Sequence, residues 1–461
     1  MSPTATETRP TVRAAAGRWL VTMSIVSAFG VACGAGPAPS AADCIYAVEE
    51  SGATTDTCLP VAPDSERVDT ETPTFSNPTS ITNPLHPTSV VHQTIYGGHV
   101  DGKPFRTEVS LLPGTEPITW RGSTIDTAII QYVAYLDGRI HEVALDWYAQ
   151  ADDGSVWYFG EDVFNYEDGK VADTKGTWIA NETTPAAMIM PAQPRVGDVY
   201  RPENAPGAAF EEVRVDKVDQ QLAGPSGKIT GAIEVNELHM DGTREGKVFA
   251  PGYGEYSTGT AAGDLEAVSL ASPTDRRPGA APAEFAILAT AVSAVYEAAT
   301  GNDNGSLNPA VVALGMSWET VRVNGIPPQM ASQMRVDIDA LNAAIDEDDR
   351  EAIHSAVLRI AQNELDLRLL HGRIVDVDLD RLALWARQLP VDVADGDTGL
   401  VLANVAALER VWERTKHGVE LAAPVDSALG ELHQAAEDEV LPAVERAAAS
   451  LSQAISALRT R

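Results

Sequence analysis

Two groups of residues in this sequence have types and spacings that could do chemistry, and the first is aromatic and acidic. Trp147, Tyr148, Trp157 and Tyr158 fall close together, with Phe159 and Tyr166 just beyond. Rings on adjacent strands could line a pocket for a sugar, a lipid or a heterocycle, because their faces offer a large contact area. Asp146, Glu161 and Asp162 accompany them, and a pair of carboxylates beside such a platform is the equipment of glycoside hydrolysis. Cross-strand core packing accounts for the rings more simply, since alternation sends only part of such a set inward. Surface turns do the same for the carboxylates. The four leading aromatic residues are therefore ligand-binding candidates, and no catalytic residue is assigned.

The second group could ligate a metal. Glu351 and His354 match the Glu-x-x-His spacing of di-iron bundles, but that chemistry needs the motif twice and only one copy is present. Glu413 with His417, and His433 with Glu437, are four residues apart, and Glu364 and His371 lie two turns apart on one helical face. Together they could converge on a divalent metal in a bundle, and each is equally an ordinary helix-surface pair. Asp376, Asp378 and Asp380 begin like a calcium loop, but Arg381 and Arg387 stand where its glycine and closing glutamate belong. A Gly-x-Ser-x-Gly elbow, a phosphate loop, a dinucleotide fingerprint and a His-Glu-x-x-His motif are all missing.

The aromatic residues belong to a β-rich region, 90–270, in which short runs of β-branched and aromatic residues are punctuated by Asp-Gly at 101–102, 137–138, 153–154, 168–169 and 241–242. Asp-Gly supplies the positive φ angles of two-residue hairpins, so this region predicts an antiparallel meander of eight or so strands, curved or barrel-like. Along one strand Val143, Leu145 and Trp147 share a face while Glu142, Asp146 and Tyr148 share the other. The metal-ligating residues belong to a helical region, 283–461. Apolar residues recur there at helical spacing over 283–300, 331–345, 348–370, 379–389, 398–417 and 425–458. Asp348, Asp349 and Asp397 suit helix N-termini. The run Phe285 to Tyr296 is short for a bilayer span and reads as a buried helix. A Pro- and Arg-containing stretch, 271–282, reads as a linker, so the fold class predicted is an α+β multidomain chain, meander first and all-α bundle second.

The blocks Asp146-Trp147-Tyr148-Ala149-Gln150 and Gly154-Ser155-Val156-Trp157-Tyr158-Phe159-Gly160-Glu161-Asp162 resemble a signature of uncharacterised secreted bacterial proteins and lipoproteins. Met190-Pro191-Ala192, Val196-Gly197-Asp198 and Ala250-Pro251-Gly252-Tyr253-Gly254 are similar to later blocks of the same domain, with Tyr253 where that family more often has Val. The resemblance covers about 118–270 and implies a fold and an address, with no activity attached.

The N-terminus points the same way. Arg9, Arg13 and Arg18 precede an apolar run from Trp19 to Ala32, the pattern of a secretory signal peptide over 1–33. Val31-Ala32-Cys33-Gly34 resembles a lipobox, with Gly30 where a large aliphatic residue is usual, so Cys33 is the candidate lipid anchor and membrane partner. Cleavage further on, up to Ala42, is the alternative. Residues 34–89, rich in Pro, Ser and Thr, read as a disordered tether in which Cys44 and Cys58 could close a disulfide in an oxidising compartment. A cysteine nucleophile is not expected, because all three thiols fall in the signal or the tether. The 66 Asp and Glu against 33 Lys and Arg, a formal charge of -33, argue against nucleic acid as a partner. The functional expectation is an extracytoplasmic binding protein of unknown ligand or protein partner, lipid-anchored or secreted. A metal-binding envelope protein and a carboxylate-dependent envelope hydrolase are the alternatives.

Overall fold

In the computed structural model the described residues are 44–49, 51–260, 263–301, 304–420 and 422–459. The expected signal peptide and the candidate lipid anchor Cys33 lie outside them. A small hairpin, β1 (Tyr46–Val48) and β2 (Thr54–Cys58), is closed by the Cys44–Cys58 disulfide, with the two Cα atoms 5.4 Å apart. Then come β3 (Gln93–Val100), β4 (Lys103–Trp120), β5 (Ser123–Leu136), β6 (Arg139–Gln150) and β7 (Val156–Glu167), a run of long antiparallel strands. Three short strands follow, β8 (Lys170–Asp173), β9 (Trp178–Ile179) and β10 (Ala187–Met190). A second long run comprises β11 (Val199–Ala205), β12 (Ala209–Gly224), β13 (Gly227–His239), β14 (Arg244–Ala250), β15 (Gly254–Gly259) and β16 (Leu265–Ser272).

Strands β3 to β16 form one 14-stranded sheet in the order β10-β7-β6-β5-β4-β3-β16-β15-β14-β13-β12-β11, with β8 and β9 pairing on β7. The sheet is open. Its end strands β10 and β11 lie side by side without a hydrogen-bonded ladder, so it coils like a barrel that does not close. Asp101-Gly102, Asp137-Gly138 and Asp168-Gly169 each carry two positive φ angles and join paired strand ends, which makes them the two-residue hairpins that Asp-Gly signals. Arg121-Gly122 does the same between β4 and β5 without an Asp.

Alternation gives the sheet two faces of different character. On one, Ile95, Val133, Tyr135, Ile140, Val143 and Leu270 share a hydrophobic core with the helices. On the other, side chains of β4 to β7 meet those of β11 to β14 in an inner core that includes Trp120, Phe159, Tyr200 and Phe249.

The helices are α1 (Ala283–Thr300), α2 (Asn304–Arg322), α3 (Pro328–Asp346), α4 (Arg350–Arg368), α5 (Ile374–Asp395), α6 (Thr398–Thr415), α7 (Ala423–Glu437) and α8 (Leu441–Arg459). Asp349 and Asp397 cap α4 and α6 by accepting from the backbone of Ala352 and of Gly399 and Leu400. Helix α1 has the length and hydropathy of a membrane span, yet Leu288, Val292, Val295 and Tyr296 are buried in the protein core.

One expectation is corrected. The stretch read as a disordered tether is folded from residue 51 to 89. Ile81 and Leu85 are buried, and Asn83 donates to the carbonyls of Gly154 and Pro191 at 3.0 and 3.1 Å. Few apolar residues suffice because backbone groups of the segment bond to polar side chains, such as Gln150 Oε1, which accepts from Thr82 and Asn83. The stretch 271–282, expected as a linker, is itself held against the helices. Arg277 in the connecting stretch donates to the carbonyls of Asn324 and Gly325, and the helices pack directly on the sheet.

That packing includes a buried ionic network. Arg106 and Glu108 on β4 meet Asp366 on α4, Asp378 and Arg381 on α5 and Arg414 on α6, three guanidinium groups against three carboxylates. Burial alone would push the Glu108 carboxyl up, but Arg381, Arg414 and Arg106 hold it well below the usual carboxylate range. Nearby, Arg139 makes a two-pronged contact with the fully buried Asp392 at 3.0 and 2.7 Å.

Candidate functional site: the inner-face cavity

The inner face of the coiled sheet encloses a cavity of about 190 Å³. Its floor comes from alternate residues of adjacent strands: Tyr96 on β3, Val109 and Leu111 on β4, Ile130 and Tyr132 on β5, Tyr148 on β6. Strands β14 to β16 supply Phe249, Glu255 and Glu266. The segment at His86 to Val91, part of the expected tether, forms one wall. It is held there by Ser89 Oγ, which accepts from the Ile81 backbone at 2.8 Å, and by the His86 ring packed 4.8 Å from that of Tyr148.

Aromatic side chains dominate and their polar ends are tied. Tyr148 stacks on Tyr158 at 4.6 Å and 20°, and the Tyr158 hydroxyl donates to Asp146 at 2.7 Å. Tyr96 donates to the Glu255 backbone carbonyl at 2.9 Å, and Tyr253 to Asp275 at 2.7 Å. Burial raises Tyr96, Tyr132, Tyr148 and Tyr158 well above the usual phenol range, so all four are neutral donors at any physiological pH. Burial likewise pushes the His86 imidazole down to about 4, leaving it uncharged.

Three carboxylates face the cavity: Asp146, Glu255 and Glu266. Glu266 is 7% exposed, and burial pushes its carboxyl up to about 8, with Thr107 beside it. Burial also raises Glu255, against the pull of Lys247 3.8 Å away. Among the described residues, no Lys or Arg lines the cavity.

Of the four aromatic candidates read from the sequence, Tyr148 lines this cavity and Tyr158 backs it. Trp147 packs against the inner core without lining the cavity, and Trp157 turns to a second hollow with Trp120 and Arg121, its Nε1 donating to Ser155. Asp146 and Glu161 are direct cross-strand partners on β6 and β7. Tyr96, Tyr132, Glu255 and Glu266 escaped sequence reasoning, although one signal was present: Glu266 is the lone charge in the largely apolar run Leu265 to Leu270.

The helical metal candidates do not converge, which corrects that expectation. Glu351 is exposed at the start of α4, whereas His354 is buried with Nδ1 3.3 Å from Asp395 and Nε2 3.3 Å from the Ala299 carbonyl. Glu364 is bound by Arg368, and His371 packs edge-on to Phe285. Glu413 accepts from Gln131 and Arg410, while His417 is exposed beyond α6. Helical periodicity put these residues on faces, but the faces turn toward different neighbours.

Among the described residues, metal-sharing geometry occurs at Glu211, Glu237 and His239, on β12 and β13. That cluster already contains its own countercharge. Lys247 Nζ lies 3.0 Å from Glu237, and the His239 nitrogens lie 3.3 and 3.2 Å from Glu211 and Glu245.

No protein-family model, curated protein or solved structure matches this chain. Function therefore has to be argued from the cavity and the sequence.

Proposed function

We propose that this chain is an exported binding protein, lipid-anchored through Cys33 or released, which holds a small ligand in the inner-face cavity and does not turn it over. The address rests on the N-terminal sequence, Arg9 to Cys33, and on the resemblance of the Asp146 to Asp162 blocks to secreted proteins. Binding rests on one observation above all. A cavity of about 190 Å³, walled by Tyr96, Tyr132, Tyr148 and Phe249, is carried on a rigid sheet braced from behind by a buried ionic network. Ligand sites commonly combine such apolar and aromatic walls with a few polar groups, and the size, below the ~300–1,000 Å³ of drug-sized sites, suits a ligand of few heavy atoms.

The test is a thermal-shift screen of a broad panel of small polar metabolites against the folded protein and against Val109→Phe, which fills the cavity. Compounds that raise the melting temperature of the parent but not of the variant support the reading. A panel that shifts neither, or both equally, sinks it. The address is tested separately by fractionation, where Cys33→Ala should move the protein from the membrane to the soluble exported fraction.

A further inference from the structure

We infer that the cavity's ligand is a small organic cation, an ammonium group on a few carbon atoms, seated on the tyrosine rings with Glu266 and Glu255 as its counter-charge. This rests on the reading of the cavity as a ligand site. The first argument is sign. Asp146, Glu255 and Glu266 face the space, His86 is neutral, and no Lys or Arg among the described residues lines it. The closest cation, Lys247, is committed to Glu237 at 3.0 Å and stands 3.8 Å from Glu255.

The second argument is that Glu266 has no partner of opposite charge. Several buried carboxylates of this protein are paired with guanidinium groups, as Glu108, Asp366 and Asp378 are. Glu266, also buried, forms no ion pair among the described residues. A buried carboxyl without a counterion is costly and stays protonated, and an arriving cation supplies what is missing.

The third argument is the wall. Ring faces attract cations, most strongly where water is excluded, and Tyr96, Tyr132 and Tyr148 present their rings around one small space. An inorganic ion does not suit it, because Asp146, Glu255 and Glu266 do not come close enough together to share one, and Val109, Leu111 and Ile130 offer no ligand atoms. An alkylammonium needs apolar contact as well as charge. The acidity of the whole chain, -33, draws such ligands in.

Binding should be coupled to proton release. Facing Glu266 are Glu255 on β15, Lys247 on β14, Glu142 on β6, Thr107 on β4, Tyr132 on β5 and Tyr96 on β3. A bound cation adds one positive charge to this set and lowers the Glu266 carboxyl from its value of about 8, so a proton leaves when binding occurs below that pH.

The experiment is calorimetric titration of the folded protein with choline, with tetramethylammonium, and with 3,3-dimethyl-1-butanol, the neutral carbon counterpart of choline. At least one ammonium should bind, and the alcohol should bind at least about ten-fold more weakly than choline. Titration in two buffers of different ionisation enthalpy should show proton release that disappears in Glu266→Gln. Glu255→Gln, at a more exposed site, should weaken the ammonium and leave the alcohol unchanged. Equal binding of alcohol and choline, or unchanged ammonium affinity in both variants, overturns the inference. So does failure of every ammonium to bind a protein that gives cavity-dependent hits with neutral or anionic compounds, and in that case the binding reading survives. If no compound of any charge gives a cavity-dependent shift, the binding reading itself has failed.

Discussion

The guanidinium of Arg414 on α6 donates to the Glu108 carboxylate on β4 at 2.5 Å, joining residues 306 positions apart in the chain. Both side chains are almost completely buried. The contact makes the helical layer part of the sheet's own core, and it fixes the strand whose opposite face carries Val109 and Leu111 into the cavity.

Removing one charge from this network should be severe. Glu108→Gln keeps the shape but leaves Arg106, Arg381 and Arg414 facing two carboxylates. An uncompensated buried charge of this kind costs about 3–5 kcal/mol. Denaturant unfolding should show a loss of that order, and a loss indistinguishable from that of an exposed substitution such as Glu319→Gln would contradict the account.

Glu266 should make the protein less stable as pH rises. Its carboxyl titrates at about 8 when folded and near 4.5 when unfolded. Between those values the folded state binds more protons, so the contribution is fully present below the lower one and is lost as pH rises through the upper one. The slope for one such group is about 1.4 kcal/mol per pH unit. Glu266→Gln should match the parent at acid pH and melt at a higher temperature above pH 8. Parallel melting curves at every pH would mean that the carboxyl is not buried as described.

The Cys44–Cys58 disulfide should matter to the whole fold, because its hairpin is not free. Ala47 and Leu59 pack with Phe210 and Leu238 of β12 and β13. Paired Cys44→Ser and Cys58→Ser substitutions should lower unfolding stability by roughly 3 kcal/mol on loop-closure grounds. Thiol labelling of the denatured, unreduced protein should find neither cysteine free. Labelling of either would count against the bridge.

Much of this fold was legible because its signals are local. Asp-Gly fixes a hairpin through backbone conformation, and Asp349 and Asp397 cap helices from within a few residues. Helix α2 was not legible, since Pro309 and Gly315 interrupt the pattern that α1 displays plainly. The single helix expected over 425–458 is two, broken where Glu439 adopts a positive φ. The site was legible only in part. Tyr148 announced itself within a cluster of rings, but Tyr96, Tyr132 and Glu266 sit on three strands in the order β5-β4-β3-β16, and the pairing that brings Glu266 beside the tyrosines, β3 with β16, is distant in sequence. The wall at His86 was hidden more completely. Its segment has the composition of a tether and is held by polar bonds to Gln150, Gly154 and Pro191, a kind of anchoring that hydrophobic patterning does not reveal.

Two histidines should hold opposite charge states across the same pH range. Burial works against charge on both. At His86 burial dominates and the imidazole falls to about 4. At His239 burial is outweighed by hydrogen bonds to Glu211 and Glu245, which hold the ring well above its usual 6.5. Between about pH 5 and 8, where an ordinary histidine titrates, neither should do so. The linkage signs differ as well. The contribution of His239 is complete below 6.5 and is lost as pH rises through its raised folded value, whereas that of His86 is complete above 6.5 and is lost as pH falls through about 4. Ring-nitrogen NMR spectra, assigned with His86→Gln and His239→Gln, should show a fixed neutral ring and a fixed imidazolium over that range. A titration midpoint inside it for either ring would mean that His86 is open to solvent, or that His239 is not clamped between its two carboxylates.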